Sequence, residues 1–479
     1  MITLKQLLLE GQKENAALEY LTQLVNSGPY KGRVLLAGGA VRDMQLGKDF
    51  KDIDVVVRGD INAGIDFAKW AAQAMGNYKE GSNPVTFPTF GTAKFTLQGI
   101  IHNGIDLSNV DIEAVAPRKE KYTAGSRKPT VSGGELEDDV MRRDFTVNSL
   151  LKDLTTGEIL DLTGKGKEDI KNGIVRTPLD PDVIFTDDAL RILRAIRFAI
   201  KYDWNLPMFM LKGLKRNAGK LQTISQERIR DELNKMLLTG SPQRAIKLMK
   251  AVGVLQYVIP ELMPAIKMQQ NIFHKHDVFD HTLDVLSKTQ PVLIQRLMGL
   301  FHDIGKTVTK SVTPTGVHFY GHEMTGEKIV KDVMARLKYP NELINSVALG
   351  VRNHMRLKHG GDDAVKITDK TLRKFKIEMG EELENILGVI HADNTAHADE
   401  HSMPNQINNV RKRLESLNMT VTKPKLPISG EDLKLLGIKP GPIYSKIFTA
   451  ITEKWYEDPN FSKNDALNMA KSIAGNEPT

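Results

Sequence analysis

The sequence predicts an α+β protein: a small α/β head followed by a body that is almost wholly helical. Three observations carry this reading. Short β-branched runs alternate with helix-compatible stretches between residues 31 and 175, as where VLLAGGAVRDMQ is followed by DIDVVV. From residue 180 onward, apolar residues recur at helical spacing. The chain has 479 residues, about three times the ~150-residue domain prior, so several packing units are expected. The predicted divisions are 1–30, a helical N-terminal extension; 31–175, the head; 176–268, a helical neck; 269–400, a histidine-rich body; and 401–479, a helical tail with basic patches.

In the extension, Leu7, Leu8, Leu18, Leu21 and Leu24 are candidate packing residues, and residues 1–15 are too short and too charged for a signal-sequence core. The head is organised around Val34–Arg58. An apolar run from Val34 to Leu36 meets Gly38-Gly39, then helix-compatible residues that include Arg42 and Asp43, then a turn at Gly47. The strand-like Asp52-Ile53-Asp54-Val55-Val56-Val57 follows, and its period of two puts Asp52 and Asp54 on one face. Carboxylates so spaced can share divalent cations, and hard Mg²⁺ prefers such oxygens. Glycines ahead of a helix let backbone N–H groups approach a phosphate, whose charge the helix N-terminus favours. A Gly-Gly turn alone is usually structural, and an Asp-x-Asp strand start alone is usually a solvated edge. Joined in one unit, they read as a nucleotidyl-transfer site.

Residues 65–76 read as a helix ended by Gly76, and 84–97 and 110–117 as strand-like pieces. The second piece puts Asp111 and Glu113 on one face, either as a third carboxylate or as solvated strand residues. Residues 118–136, rich in Gly, Ser, Lys and Arg, read as a mobile loop. Next, Arg142-Arg143-Asp144 sits beside apolar Phe145 and Val147, which implies charge that is partly buried and paired. Arginine's fixed fork suits triphosphate oxygens, and an aspartate suits ribose hydroxyls.

In the neck, 185–200 reads as one helix with Thr186 or Asp187 as N-cap. Asp188, Arg191, Arg194 and Arg197 recur every third residue among apolar neighbours. Such a row shares a helix face while slipping backward step by step. A solvated basic stripe is the alternative. A further helix is predicted over 225–238.

A second constellation begins at His274, with His276, Asp277, Asp280 and His281 close behind, then His302-Asp303, His318, His322, His354, and His391 with Asp393. Ten of the 12 histidines lie between 274 and 397. Imidazoles and carboxylates drawn from several helices are the ingredients of a transition-metal hydrolase site. The tail carries a Pro/Gly interruption, Gly437-Ile438-Lys439-Pro440-Gly441-Pro442, which either admits a phosphate backbone or turns the chain.

Hydrophobic residues make up 41% of the chain and charged residues 26%, ordinary for a globular protein. The net charge of +7 mildly favours a polyanionic partner. The chain has no cysteine, which excludes disulfides and thiolate zinc sites and is compatible with a reducing compartment. No apolar run reaches membrane-spanning length, so a soluble, cytoplasmic protein is expected.

The order Gly38-Gly39-Ala40-Val41-Arg42-Asp43, Asp52-x-Asp54, Arg118-x-Glu120-x-Tyr122, Arg142-Arg143-Asp144-Phe145-Thr146-Val147-Asn148, Asp161…Gly166…Asp169, Asp188-x-x-Arg191-x-x-Arg194-x-x-Arg197-Phe198 and Glu227-Arg228…Glu232 resembles class II CCA-adding tRNA nucleotidyltransferases of the polymerase-β-like superfamily. Beyond it, His281…His302-Asp303…Asp393 resembles the HD phosphohydrolase domain that many bacterial members carry, and 426–448 resembles their tail. The resemblance implies a polymerase-β-like head, a neck carrying a nucleotide template, an HD body and a tRNA-binding tail.

Asp52 and Asp54 would then be catalytic and hold Mg²⁺, while Gly38, Gly39 and Arg42 would meet the triphosphate. Arg143 and Asp144 would grip the nucleotide's phosphate or ribose. Asp188 and Arg191 would present donor and acceptor groups to the base edge of CTP or ATP, with Arg194 and Arg197 supporting them or reaching phosphates. His281, His302, Asp303 and Asp393 would bind a divalent metal (Mg²⁺, Mn²⁺, Ni²⁺ or Co²⁺), with His322 and His354 as further candidates. The implied partners are tRNA, CTP and ATP, with no membrane and no protein partner. Asp187 and Ala189 stand where the family usually has Glu and Pro. The same motifs leave room for a poly(A) polymerase, a CC- or A-adding enzyme, or an HD half serving only as a structural RNA-binding scaffold.

Overall fold

The computed structural model describes residues 11–121, 130–270, 275–417, 426–458 and 460–475. The chain divides into two compact units, Met1–Glu232 with Leu248–Tyr257 and Leu233–Lys247 with Val258–Thr479.

In the first unit, α1 (Gln12–Ser27) buries Leu18, Leu21 and Val25 in the same apolar cluster as the head strands. From Gln12 onward the extension is therefore head core; Leu7 and Leu8 lie outside the described residues. β1 (Val34–Ala37) leads through Gly38 into α2 (Gly39–Gln45), and β2 (Ile53–Val57) into α3 (Ala63–Ala74). β3 (Val85–Phe87), β4 (Thr92–Thr96), the small hairpin β5 (Ile101–His102) and β6 (Ile105–Asp106), and β7 (Asp111–Val115) follow. After β8 (Arg118–Lys121) and β9 (Thr130–Gly133) come α4 (Leu136–Met141), β10 (Leu151–Asp153) and β11 (Ile159–Leu160).

Seven strands form one sheet in the order β11-β10-β1-β2-β7-β4-β3. Only β2 and β7 run parallel; the other neighbours are antiparallel. Both faces of the central strands are covered. Val55 and Ile112 pack in one cluster with α1 and α3, while Leu35 and Val56 pack in another with Val140 of α4. Burial on both sides explains the unbroken Val55-Val56-Val57 run.

Two expected elements are corrected here. The 84–97 stretch is not one strand: a turn over Pro88–Phe90, closed by Gly91 at φ +60°, separates β3 from β4. The base of the 118–136 stretch is not a loop but an antiparallel hairpin that pairs Arg118 with Gly133 and Lys121 with Thr130. Its tip, including Tyr122, lies outside the described residues.

The neck helix is also corrected. α5 (Pro181–Asp187) ends, Asp188 is extended (φ −147°, ψ 104°), and α6 (Leu190–Tyr202) begins. The Asp188 carboxylate accepts from the Leu190 amide at 3.0 Å, so Asp188 is itself the capping residue rather than Thr186 or Asp187. α7 (Gln226–Leu237) brings Arg228 and Glu232.

The body of the second unit is built from α8 (Val278–Lys288), α9 (Leu293–Phe301), α10 (His322–Arg336), α11 (Asn341–Asn353) and α12 (Leu383–Thr395). A short hairpin, β12 (Ser311–Thr313) with β13 (Gly316–His318), precedes α10. In the tail, α13 (Gly430–Leu435), α14 (Pro442–Glu457) and α15 (Lys463–Gly475) share a small core of Leu433, Ile447, Ile451, Ala466 and Ala470. Among the described residues, no helix is long and apolar enough to cross a membrane.

Candidate active sites

The Gly38-Gly39 turn, the start of β2 and the polar face of α6 line one cavity of about 610 Å³ in the first unit. Gly38 has φ +69°, a backbone conformation that favours glycine, and it turns the chain from β1 into α2. Asp52 and Asp54 lie on the cavity wall. The parallel register pairs Asp54 with Glu113 of β7, and Glu113 lines the same cavity. Asp111 bonds instead to Lys94 at 2.5 Å and to Thr96 at 2.6 Å. Of the two candidates for a third carboxylate, Glu113 is the one that faces the pair.

This crowding has an electrostatic signature. Asp54 is itself exposed to the cavity, yet desolvation by the surrounding side chains, then the charges of Glu113 and Asp52, push its pKa up to about 6, against the pull of Arg143. Three hard oxygen donors with an unfavourable mutual charge fit a divalent cation.

The facing wall is cationic. Arg42, Arg142, Arg143, Arg191, Arg194, Arg197 and Arg228 all line the cavity. Arg42 is buried; its Nη1 donates to Asn148 Oδ1 at 2.6 Å, and its guanidinium lies 5.1 Å from the ring centroids of both Phe198 and Tyr202. Arg143 donates to fully buried Asp139 at 2.9 Å and to the Asn148 carbonyl at 3.1 Å. Asp144 accepts from Arg194 Nε at 2.9 Å, from Asn148 Nδ2 at 2.9 Å and from the Phe145 amide at 2.8 Å. Burial opposes its ionisation, but Arg194 and these bonds outweigh burial and hold the carboxyl below its ordinary value. Asp144 therefore acts as the anchor of Arg194.

Along α6, Arg191, Arg194 and Arg197 are half-buried. Arg197 is fastened to Glu232 at 2.6 Å, and Arg191 Nη1 donates to the Ile184 carbonyl at 3.3 Å. Asp188 is gripped by Arg228 Nη2 at 2.7 Å. Arg142, Asn148 and Arg228 also line the cavity, residues to which the sequence motifs alone assign no role. Their shared signal was an arginine or amide placed beside apolar residues.

The second unit gathers two buried groups. The ligand atoms of His281 (α8), His302 and Asp393 (α12) lie within 4.8 Å of one another, as do those of Asp303, His322 (α10) and His354. His302 and His354 are the C-cap residues of α9 and α11. Nδ1 of His302 donates to the Gly299 carbonyl at 2.9 Å, that of His354 to Val351 at 2.7 Å, and that of His322 to Phe319 at 2.9 Å. A carbonyl only accepts, so the proton sits on Nδ1 and the Nε2 lone pair faces the cluster. Nitrogen and carboxylate donors presented this way fit divalent transition metals.

Burial pushes the His281 and His354 pKa values down. Burial opposes charge on His302 too, but Asp303 and Asp393 outweigh it and raise its value. Lys306 meets Asp303 at 2.7 Å and Lys358 meets Asp393 at 2.6 Å. His391 does not join: it is half-buried, and the nearby charges are those of Arg411 and Lys288. His274 lies outside the described residues.

The sequence matches three family models: the poly A polymerase head domain over 34–176, the probable RNA and SrmB-binding site of polymerase A over 210–266, and the HD domain over 278–395. The CC-adding tRNA nucleotidyltransferase of Thermus thermophilus is 28% identical over 79% of this chain and 92% of its own length. The A-adding tRNA nucleotidyltransferase of Deinococcus radiodurans is 30% identical over 66% of this chain and 75% of its own length. The fold superposes on the Bacillus stearothermophilus CCA-adding enzyme, solved in complex with CTP, with a TM-score of 0.66 at 21% identity, covering 96% of this chain and 97% of that one. The identity to the Deinococcus enzyme over three quarters of its length, with the polymerase-head, RNA-binding and HD family models matched in this order along one chain, means that the chain belongs to the tRNA nucleotidyltransferase family.

Proposed function

We propose that the protein adds CMP and AMP from CTP and ATP to the 3′ end of tRNA without a nucleic-acid template, restoring CCA and releasing pyrophosphate. The observation that carries this reading is the convergence of Asp188, Arg191, Arg194 and Arg197 on the cavity that also holds Asp52, Asp54 and the Gly38-Gly39 turn. Asp52, Asp54 and Glu113 would hold Mg²⁺, which when bound stabilises charge on the phosphoryl oxygens and activates the attacking 3′-hydroxyl. Arg42, Arg143 and the Gly38-Gly39 backbone meet the triphosphate. Asp188 accepts from the exocyclic amine of cytosine or adenine, which uracil and guanine do not present there, and Arg191 donates beside it. Arg194 and Arg197, fixed by Asp144 and Glu232, keep that edge rigid. The tail and neck contact the tRNA chiefly through phosphates, so binding weakens with salt. A cytoplasmic location is consistent with the absence of cysteine.

The test is sequencing of products from tRNA ending before CCA, after incubation with CTP, ATP or both. A second reading, addition of CC or of A alone, is favoured by the likeness to a CC-adding and an A-adding enzyme, and the same assay with a second tRNA ending in CC decides it: growth stopping after two cytidines, or beginning only on the CC end.

In the second unit we propose a phosphohydrolase acting on 2′,3′-cyclic phosphates or phosphomonoesters of RNA ends. His281, His302 and Asp393, with Asp303, His322 and His354, would hold one or two ions of Mg²⁺, Mn²⁺, Ni²⁺ or Co²⁺. Such ions lower the pKa of bound water and polarise a phosphoryl oxygen. On a cyclic phosphate, the water oxygen bonds to phosphorus, one ring P–O bond breaks, and the released ribose oxygen takes the water's proton.

A further inference from the structure

The β12–β13 hairpin ends in an aromatic pair beside the HD cluster. The His318 and Tyr320 rings are stacked, 5.1 Å apart and inclined by 8°, and Tyr320 is 74% exposed. Between them Phe319 turns inward, 8% exposed, with Lys306 Nζ 5.4 Å from its ring centroid. The Phe319 carbonyl accepts from Nδ1 of His322, and Thr315 Oγ1 holds His318 Nε2 at 2.9 Å. One buried ring and one hydrogen bond thus fix the stacked pair relative to the ligand cluster. His318 and Tyr320 line the same cavity as Asp303, Asp393, Lys306 and Lys358.

That cavity is about 180 Å³, below the ~300–1,000 Å³ of sites that engulf a whole small-molecule ligand. The enclosed part suits a phosphoester, and the ammonium groups of Lys306 and Lys358 suit its anionic oxygens. Whatever carries the phosphate extends past the mouth, where the exposed face of Tyr320 lies. A flat, solvent-facing ring already stacked on a second ring is a platform for a nucleobase, since every base offers a π face.

Resting on the phosphohydrolase reading, we infer that Tyr320, backed by His318, stacks on the base of the substrate, so that this site selects nucleoside phosphoesters over base-free sugar phosphates. Lys306 and Lys358 hold the phosphate while the hairpin holds the base.

The test uses the full chain and two probes, adenosine 2′,3′-cyclic monophosphate and its base-free counterpart, methyl riboside 2′,3′-cyclic phosphate. In the wild type, kcat/KM is higher for the adenosine probe. Tyr320→Ala lowers that value about tenfold, mainly through KM, and leaves the base-free probe unchanged, whereas Tyr320→Phe retains it. Independently of turnover, 8-azidoadenosine 2′,3′-cyclic monophosphate is photo-crosslinked to metal-depleted protein, and the labelled peptides of the second unit, residues 258–479, are mapped. The labelled peptide contains residues 311–320.

Equal handling of both probes, an unaffected Tyr320→Ala, or labelling elsewhere in that unit overturns the inference. Hydrolysis of both probes without a base preference discards the aromatic platform and keeps the phosphohydrolase reading. Labelling of the hairpin without hydrolysis under any of the four metals discards the phosphohydrolase reading and keeps the nucleoside site.

Discussion

Asp54 of β2 and Glu113 of β7 are direct partners in the one parallel register of the head sheet. Like charges set side by side are retained only where something of opposite charge joins them. Asp54→Asn should therefore separate two quantities. Nucleotide incorporation falls by several orders of magnitude, because an amide is a poor Mg²⁺ ligand. Metal-free stability at pH 7 rises by ~1 kcal/mol once solvent screening is allowed for. Single-nucleotide incorporation and thermal unfolding in chelator check the two halves, and an active Asp54→Asn would falsify the assignment.

The same carboxyl sets a pH dependence. Its folded value of about 6 stands above the ordinary 3.8, so between those values the folded chain binds more protons than the unfolded chain. Metal-free stability therefore falls as pH rises from 4 to 6 and then levels off. Mg²⁺ competes with that proton, so its affinity at the head weakens as pH drops below 6. Calorimetric titration of Mg²⁺ at pH 5, 6 and 7.5 gives the slope, which Asp54→Asn removes.

Arg228 holds Asp188 at 2.7 Å. Arg228→Ala should free the carboxylate to swing and relax discrimination against UTP and GTP by about tenfold, with less effect on triphosphate affinity. Arg191→Ala should do the same, a bidentate base contact being worth ~1–3 kcal/mol of discrimination. Incorporation efficiencies for all four nucleotides measure both, and unchanged ratios would move base choice elsewhere.

Asp144→Ala leaves Arg194, 32% exposed, with the longer 4.0 Å ion pair to Glu232 in place of its close carboxylate. Removing one partner of a fully buried pair costs about 3–5 kcal/mol, and the exposure of Arg194 together with its remaining pair to Glu232 brings the expected loss down to roughly 1–2 kcal/mol. Denaturant unfolding should show that loss, and Asp144→Asn, which keeps an acceptor oxygen for Arg194, should recover part of it.

His302→Ala should abolish phosphoester hydrolysis and lower bound metal while CCA addition proceeds at a near-normal rate. Elemental analysis beside the two activity assays tests this. Joint loss of both activities would mean that the substitution had damaged the fold rather than one site.

Local spacing made part of these sites legible. The Gly-Gly turn, Asp52 with Asp54, and the row from Asp188 to Arg197 are periodic features, and the cavity gathers all of them. Choices that depend on pairing partners were not legible. Alternation places Asp111 and Glu113 on one face, but only the β2–β7 register sets Glu113 opposite Asp54, while Asp111 is opposite Thr96 of β4. The break at Asp188 was hidden because apolar periodicity continues through it, and the signal was a capping aspartate two residues before Leu190. His391 looked like a partner of Asp393, yet two residues along a helix turn a side chain by ~200°, which sends it away from the cluster. Lys306 and Lys358 were missed because lysine is ordinarily a surface residue.

Two of the imidazole protons in the HD cluster are held by carbonyls near helix ends, Gly299 in the last turn of α9 and Val351 in that of α11. These are acceptors that a helix leaves over when it stops. If either helix ran on for one more turn, its carbonyl would be taken by an amide and the ring released to choose its own tautomer. The length of two helices is thus an element of the site's coordination chemistry. A substitution that merely prolonged α9 or α11 could silence the cluster with every metal-binding side chain still in place.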